Sequence, residues 1–187
     1  MNKIFNIPNI LTFSRIFMIP VLVILFFIES YTSSILILII FILCCITDFL
    51  DGYIARIYKQ TTKLGQILDP IADKALISTS ILFLVGFDKI SKFSIIPCII
   101  IMCREVMISE IRDVIISSKI SFKTSKTAKW KTTFQMFAIS IILLSNTFQN
   151  NLKFPTLYTG ETLLWISSII AIISGIAYYQ RYWKSMT

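Results

Sequence analysis

Six apolar stretches, each near the length a helix needs to cross a hydrocarbon core, constrain this chain more than any other feature of it. They cover residues 10–28, 34–54, 66–87, 93–117, 131–147 and 161–179, and a helical span takes about 20 residues. Apolar residues make up 56% of the chain and charged ones only 15%, with a mean hydropathy of +0.78. So little polar surface cannot cover a water-exposed exterior. The expectation is an all-α integral membrane protein: six transmembrane helices in one domain spanning residues 1–187, preceded by a short interfacial segment in NKIFNIPNILTFSR.

Lysine and arginine in the connections set the orientation. Lys3, Arg56, Lys59, Lys63, Lys119, Lys123, Lys126, Lys129, Lys131, Arg181 and Lys184 all fall on one side, against Lys89, Lys92 and Lys153 on the other. Both termini and the basic loops are therefore expected to face the cytoplasm.

The formal charge of +8 does not point to nucleic acid, because the basic residues are scattered between hydrophobic runs and form no stripe on a soluble face. Cys44, Cys45, Cys98 and Cys103 lie in apolar runs without CxxC spacing, and the chain has no histidine. They read as small buried hydrophobes, not zinc ligands. Arg15 interrupts the first apolar run, and no small-residue cleavage site precedes Glu29, so that run is expected to be a span and not a cleaved leader.

Against this background the stretch TDFLDGYIARIYKQTTKLGQILDPIADK is conspicuous for its four aspartates. Asp48 and Asp51, three apart, share a helix face flanked by Gly52 and Ala55; Gly65, Asp69 and Asp73 recur every four residues on the next helix. Asp69 before Pro70 alone could be a simple helix cap. Four carboxylates converging at a membrane boundary need positive charge between them. Their all-oxygen donor set suits magnesium, manganese or calcium, and magnesium commonly shares its coordination with phosphate oxygens.

The string D48-x2-D51-G52-x2-A55-R56-x8-G65-x3-D69-x3-D73 resembles the signature of the CDP-alcohol phosphatidyltransferase family, with every motif position filled. The resemblance implies a six-helix membrane fold, commonly homodimeric, that transfers a phosphatidyl or similar group from a CDP-linked donor to an alcohol and releases CMP. It implies that Asp48, Asp51, Asp69 and Asp73 surround one or two Mg2+ (or Mn2+) ions, and that Asp73 is also the general base. Gly52, Ala55, Arg56 and Gly65 would line the donor site for CDP-diacylglycerol. Asn9, Thr12 and Arg15, at three-residue steps on the first span, are candidates for the same site; Arg15 would meet Asp48 or the donor phosphates, or else snorkel to headgroups.

NIPNILTFSR, REVMISEIRD and KTAKWKTTFQ are similar to the branch of the family whose acceptor is glycerol 3-phosphate, with Ala128 where that branch often has glycine. Arg104 and Arg112, eight apart on the fourth span, share a face and need anionic partners: the acceptor phosphate, or internal pairs with Glu105 and Glu110. Lys126, Lys129 and Lys131 are further candidates for the acceptor site, or for lipid headgroups. Two alternatives stay open: the same chemistry on another acceptor, such as inositol phosphate or serine, and an ion transporter using the intramembrane acids. The expected localisation is the bacterial cytoplasmic membrane, with the site on its cytoplasmic side.

Overall fold

The computed structural model describes residues 7–57, 63–117, 126–148 and 156–186. Within those helices the side chains at 7–8, 51–57, 63–64, 66, 110, 112–117, 126–129, 181–182 and 184–186 lie outside the described set. The elements are α1 (Ile7–Phe27), α2 (Tyr31–Ile57), α3 (Lys63–Gly86), a 3-10 turn (Lys92–Ser94), α4 (Ile95–Ser117), α5 (Lys126–Thr147) and α6 (Thr156–Met186), with no strand among the described residues.

Helices are what such sequences can form in lipid, because only they satisfy every backbone polar group within one segment. Three are long and apolar enough to cross a membrane by length and composition, over Asn9–Phe27, Tyr31–Leu50 and Thr156–Gln180. Helices α3, α4 and α5 carry the charged residues discussed below, which lowers their hydropathy. Large apolar side chains such as Phe17, Ile24, Phe49, Ile99 and Ile173 face outward, a surface that suits hydrocarbon and would be a liability in water.

The chain forms two compact units, residues 1–86 with 143–153, and residues 87–142 with 154–187. In the first, α1 packs against both α2 and α3. The turn into α2 is closed by a reciprocal cap: the Ser33 N–H donates to Ser30 Oγ and the Ser30 N–H to Ser33 Oγ, each at 3.0 Å, which satisfies two otherwise orphaned donors. Helices α1 and α3 run parallel in register. Thr12 meets Asp69 near one end, and Phe26 stacks on Phe83 at 4.6 Å near the other, with the same sequence offset at both contacts.

The second unit repeats this plan. Glu161 of α6 accepts the Ser91 N–H at 2.6 Å and the Ser91 hydroxyl at 3.1 Å, while further along Arg104 of α4 reaches Ser174 of α6. Helices α4 and α6 are thus also parallel and in register. Helix α5 approaches the start of α6 at Gly160, where a Cβ would stand 2.5 Å from Ile142 Cγ1 and 3.3 Å from the Ala138 carbonyl. Glycine at 160 permits that close approach.

Three expectations need correction. Of the expected interfacial segment, residues 2–6 lie outside the described residues, and Ile7–Arg15 is the first part of α1, with Asn9, Thr12 and Arg15 buried against protein. Cys103 is exposed, since it lies on an outward stripe of α4 with Ile99, Val106 and Met107; Cys44 and Cys98 are buried as expected. Asp69 and Pro70 sit inside α3, so Asp69 caps no helix. Pro70 instead removes the amide donor to the carbonyl four residues before it.

Candidate active site

Arg15 is the centre of the acidic cluster. Its position in α1, one turn beyond Thr12 and on the face toward α2 and α3, leaves it 1% exposed, so it does not snorkel. Its Nη1 donates to Asp48 Oδ1 at 2.8 Å and also to Asp73 Oδ1, and its Nη2 stands 3.9 Å from Asp69 Oδ1. Thr12 Oγ1 donates to the same Asp69 oxygen at 3.2 Å.

The spacing of four between Asp69 and Asp73 puts both on the side of α3 that meets α1. Asp48 arrives from α2, whose antiparallel return along α1 carries its late residues to the level of Arg15. Sequence spacing suggested that the acids of α2 and α3 converge, and Asp48, Asp69 and Asp73 do meet, with α1 supplying the surface between them. Gly65 lies in α3, one turn before Asp69. Asp51, Gly52, Ala55 and Arg56 belong to α2, but their side chains lie outside the described residues.

Three carboxylates against one guanidinium leave this cluster formally two charges negative. A buried guanidinium marks where the fold demands positive charge, and the remaining donors are all carboxylate oxygens of the kind hard divalent cations take. The residues fit magnesium or manganese in charge and donor type. Among the described residues, no three acidic or thiol groups have metal-ligating geometry.

The second unit holds a charged cluster of opposite balance. Lys131 of α5, 2% exposed, pairs with Glu105 of α4. Arg104 Nη1 stands 3.6 Å from the other oxygen of Glu105, and its Nη2 donates to Ser174 Oγ at 3.2 Å. The Ser174 hydroxyl donates in turn to the Ala171 carbonyl, which leaves its lone pairs facing the arginine. Arg104 therefore has an internal partner, the alternative kept open from the sequence. Two cations share one carboxylate, so the described part of the cluster retains one positive charge. Arg112 lies on α4, and Lys126 and Lys129 on α5, with side chains outside the described residues.

Sequence reasoning missed Ser174, Glu161 and Gln135. A serine inside an isoleucine run, or a glutamate at a helix start, carries no signal of its partner; Gln135 was visible only as the end of a motif.

The family model for CDP-alcohol phosphatidyltransferase matches residues 5–173. Among curated relatives, proteins named CDP-diacylglycerol--glycerol-3-phosphate 3-phosphatidyltransferase are 42% identical in Rickettsia bellii, over 94% of both chains, and 36% identical in Haemophilus influenzae, over 94% of this chain and 92% of that one. A relative in Arabidopsis thaliana, whose name adds only a final 2, is 31% identical over 98% of this chain and 82% of its own. With its acidic motif gathered around Arg15 and its length matched almost end to end, the chain belongs to the CDP-alcohol phosphatidyltransferase family.

Proposed function

We propose that this chain transfers the phosphatidyl group of CDP-diacylglycerol to glycerol 3-phosphate, giving phosphatidylglycerol phosphate and CMP. The observation that carries the reading is the convergence of Asp48, Asp69 and Asp73 on one buried cation in a chain whose full-length relatives bear the name of that reaction.

In this reading the acyl chains of the donor stay in lipid while its cytidine diphosphate enters a polar cleft lined by Asn9, Thr12, Arg15, Gly52, Ala55, Arg56 and Gly65. Asp48, Asp51, Asp69 and Asp73 would hold one or two Mg2+ (or Mn2+) ions, which when bound neutralise the diphosphate and stabilise charge developing on the transferred phosphoryl group. Arg104, Arg112, Lys126, Lys129 and Lys131 hold the phosphate of the acceptor, a role supported by the two cations that share Glu105 among the described residues and by the match of guanidinium geometry to phosphate oxygens. Asp73 takes the proton of the attacking 1-hydroxyl; in a chain without histidine a carboxylate is the natural base. Placing both reactants at one membrane surface removes much of the entropic barrier to their meeting.

The same reading makes the chain a single domain of six spans with both termini and the site on the cytoplasmic side of a bacterial cytoplasmic membrane, working as a homodimer in the bilayer. The test is release of CMP by the purified protein from CDP-diacylglycerol with magnesium, compared across acceptors. Release should depend on glycerol 3-phosphate. Equal turnover with serine or inositol phosphate would remove the acceptor assignment, and cation uptake into vesicles without CMP release would replace the enzyme by a carrier.

A further inference from the structure

Gln135 is 0% exposed, and neither its Nε2 nor its Oε1 has a hydrogen-bond partner among the described residues. Leaving both ends of a buried amide unsatisfied costs free energy that an apolar side chain of similar volume would not. The position invites such a side chain: Ala138, Ile139 and Ile142, on the same stripe of α5, are fully buried apolar residues. In the other direction, one turn before Gln135 on that stripe, stands Lys131 with its partner Glu105, and beside Glu105 stands Arg104. Gln135 is thus a neutral donor and acceptor at the edge of a part-buried cluster in which, among the described residues, two cations share one carboxylate.

The chemistry of an unsatisfied amide selects its ligand. A phosphate only accepts hydrogen bonds and a metal ion only takes electron pairs, so either would leave one end of the amide idle. A hydroxyl both donates and accepts. We infer that Gln135 binds the secondary hydroxyl of the acceptor and makes the enzyme selective for an alcohol phosphate that carries one. The inference rests on the reading of this site as the glycerol 3-phosphate site: that acceptor has one hydroxyl that attacks and a second that keeps its proton, and the second is the group Gln135 would read.

The test compares glycerol 3-phosphate with 3-hydroxypropyl phosphate, which keeps the phosphate and the attacking hydroxyl and lacks only the secondary one. The wild-type enzyme should favour glycerol 3-phosphate in kcat/KM by about tenfold or more, since a site built to bond a hydroxyl rejects an analogue lacking it. Gln135→Met, which keeps volume and removes both polar atoms, should lower kcat/KM for glycerol 3-phosphate by about tenfold and leave the value for the analogue within about twofold. Without substrate, its thermal unfolding in detergent should come no earlier than that of the wild type.

An equal fall with both acceptors would make Gln135 structural and overturn the inference, as would a variant unchanged with both, which would assign the amide to a water molecule. If Gln135→Met does not insert, Gln135→Leu provides the same comparison, and a wild-type enzyme indifferent to the missing hydroxyl overturns the inference without any variant. CMP release that does not depend on glycerol 3-phosphate would instead defeat the assigned reaction, an outcome separate from all of these.

Discussion

The cluster around Arg15 and the cluster around Glu105 are built inversely. In the first, three carboxylates surround one guanidinium; in the second, an arginine and a lysine share one glutamate. Among the described residues, each places a single residue of the minority sign at its centre, so each stays foldable in a low-dielectric setting while the described side chains keep an excess of the other sign. The difference teaches what each is suited to receive. The first is opposite in sign to the proposed metal ion, the second to the proposed acceptor phosphate.

The largest effect expected from breaking this scheme is on catalysis. Asp73→Asn keeps the size of the side chain and removes the proposed base, and should lower CMP release by about a thousandfold while the protein still inserts in the membrane. Substantial residual release would give the proton to another group.

A smaller effect tests the inversion itself. Removing the minority charge from either cluster should cost more stability than removing one majority charge. Glu105→Gln removes the carboxylate paired with the buried Lys131 ammonium and should destabilise by about 3 kcal/mol, whereas Lys131→Met leaves the Arg104–Glu105 pair and should cost about 1 kcal/mol or less. Likewise Arg15→Met should cost more than Asp69→Asn, by a margin of about 1 kcal/mol given that the aspartates are partly exposed, and magnesium should restore stability to Arg15→Met. Thermal unfolding in detergent measures each; equal costs for minority and majority residues would end the comparison.

The smallest expected effect concerns a neutral support. Thr12→Val removes the hydroxyl that donates to Asp69 and should destabilise by about 1 kcal/mol. No measurable change in unfolding would mean that Asp69 is held by Arg15 alone.

Much of the architecture was legible because long apolar stretches and helical periodicity are local properties. Four of the six expected stretches begin within a few residues of an observed helix or of the 3-10 turn that leads into one, α5 and α6 both begin earlier than expected, and all six end close to a helix end or inside α6. The larger misses are at polar ends: α5 begins at Lys126 and α6 continues to Met186, since lysines and aromatic residues end an apolar run without ending a helix. The aspartate spacings identified the faces on which Asp69 and Asp73 lie. They offered Asp48 as one partner of Arg15, which the fold bears out, but did not bring Asp69 and Asp73 to the same arginine, because headgroup and substrate phosphate satisfy an arginine equally well on paper.

The chain's sequence alone determined its lipid-facing exterior, its helices and the faces that carry its charges, since all of these follow from residue type and a period of 3.6. Only the tertiary structure decided which charges meet. Arg15 and Asp73, like Arg104 and Ser174, are far apart along the chain and near each other in the fold, and electrostatic pairing depends on distance in space and on the water excluded around it. For the same reason the isolation of the Gln135 amide, which no spacing announces, becomes visible once the helices are packed.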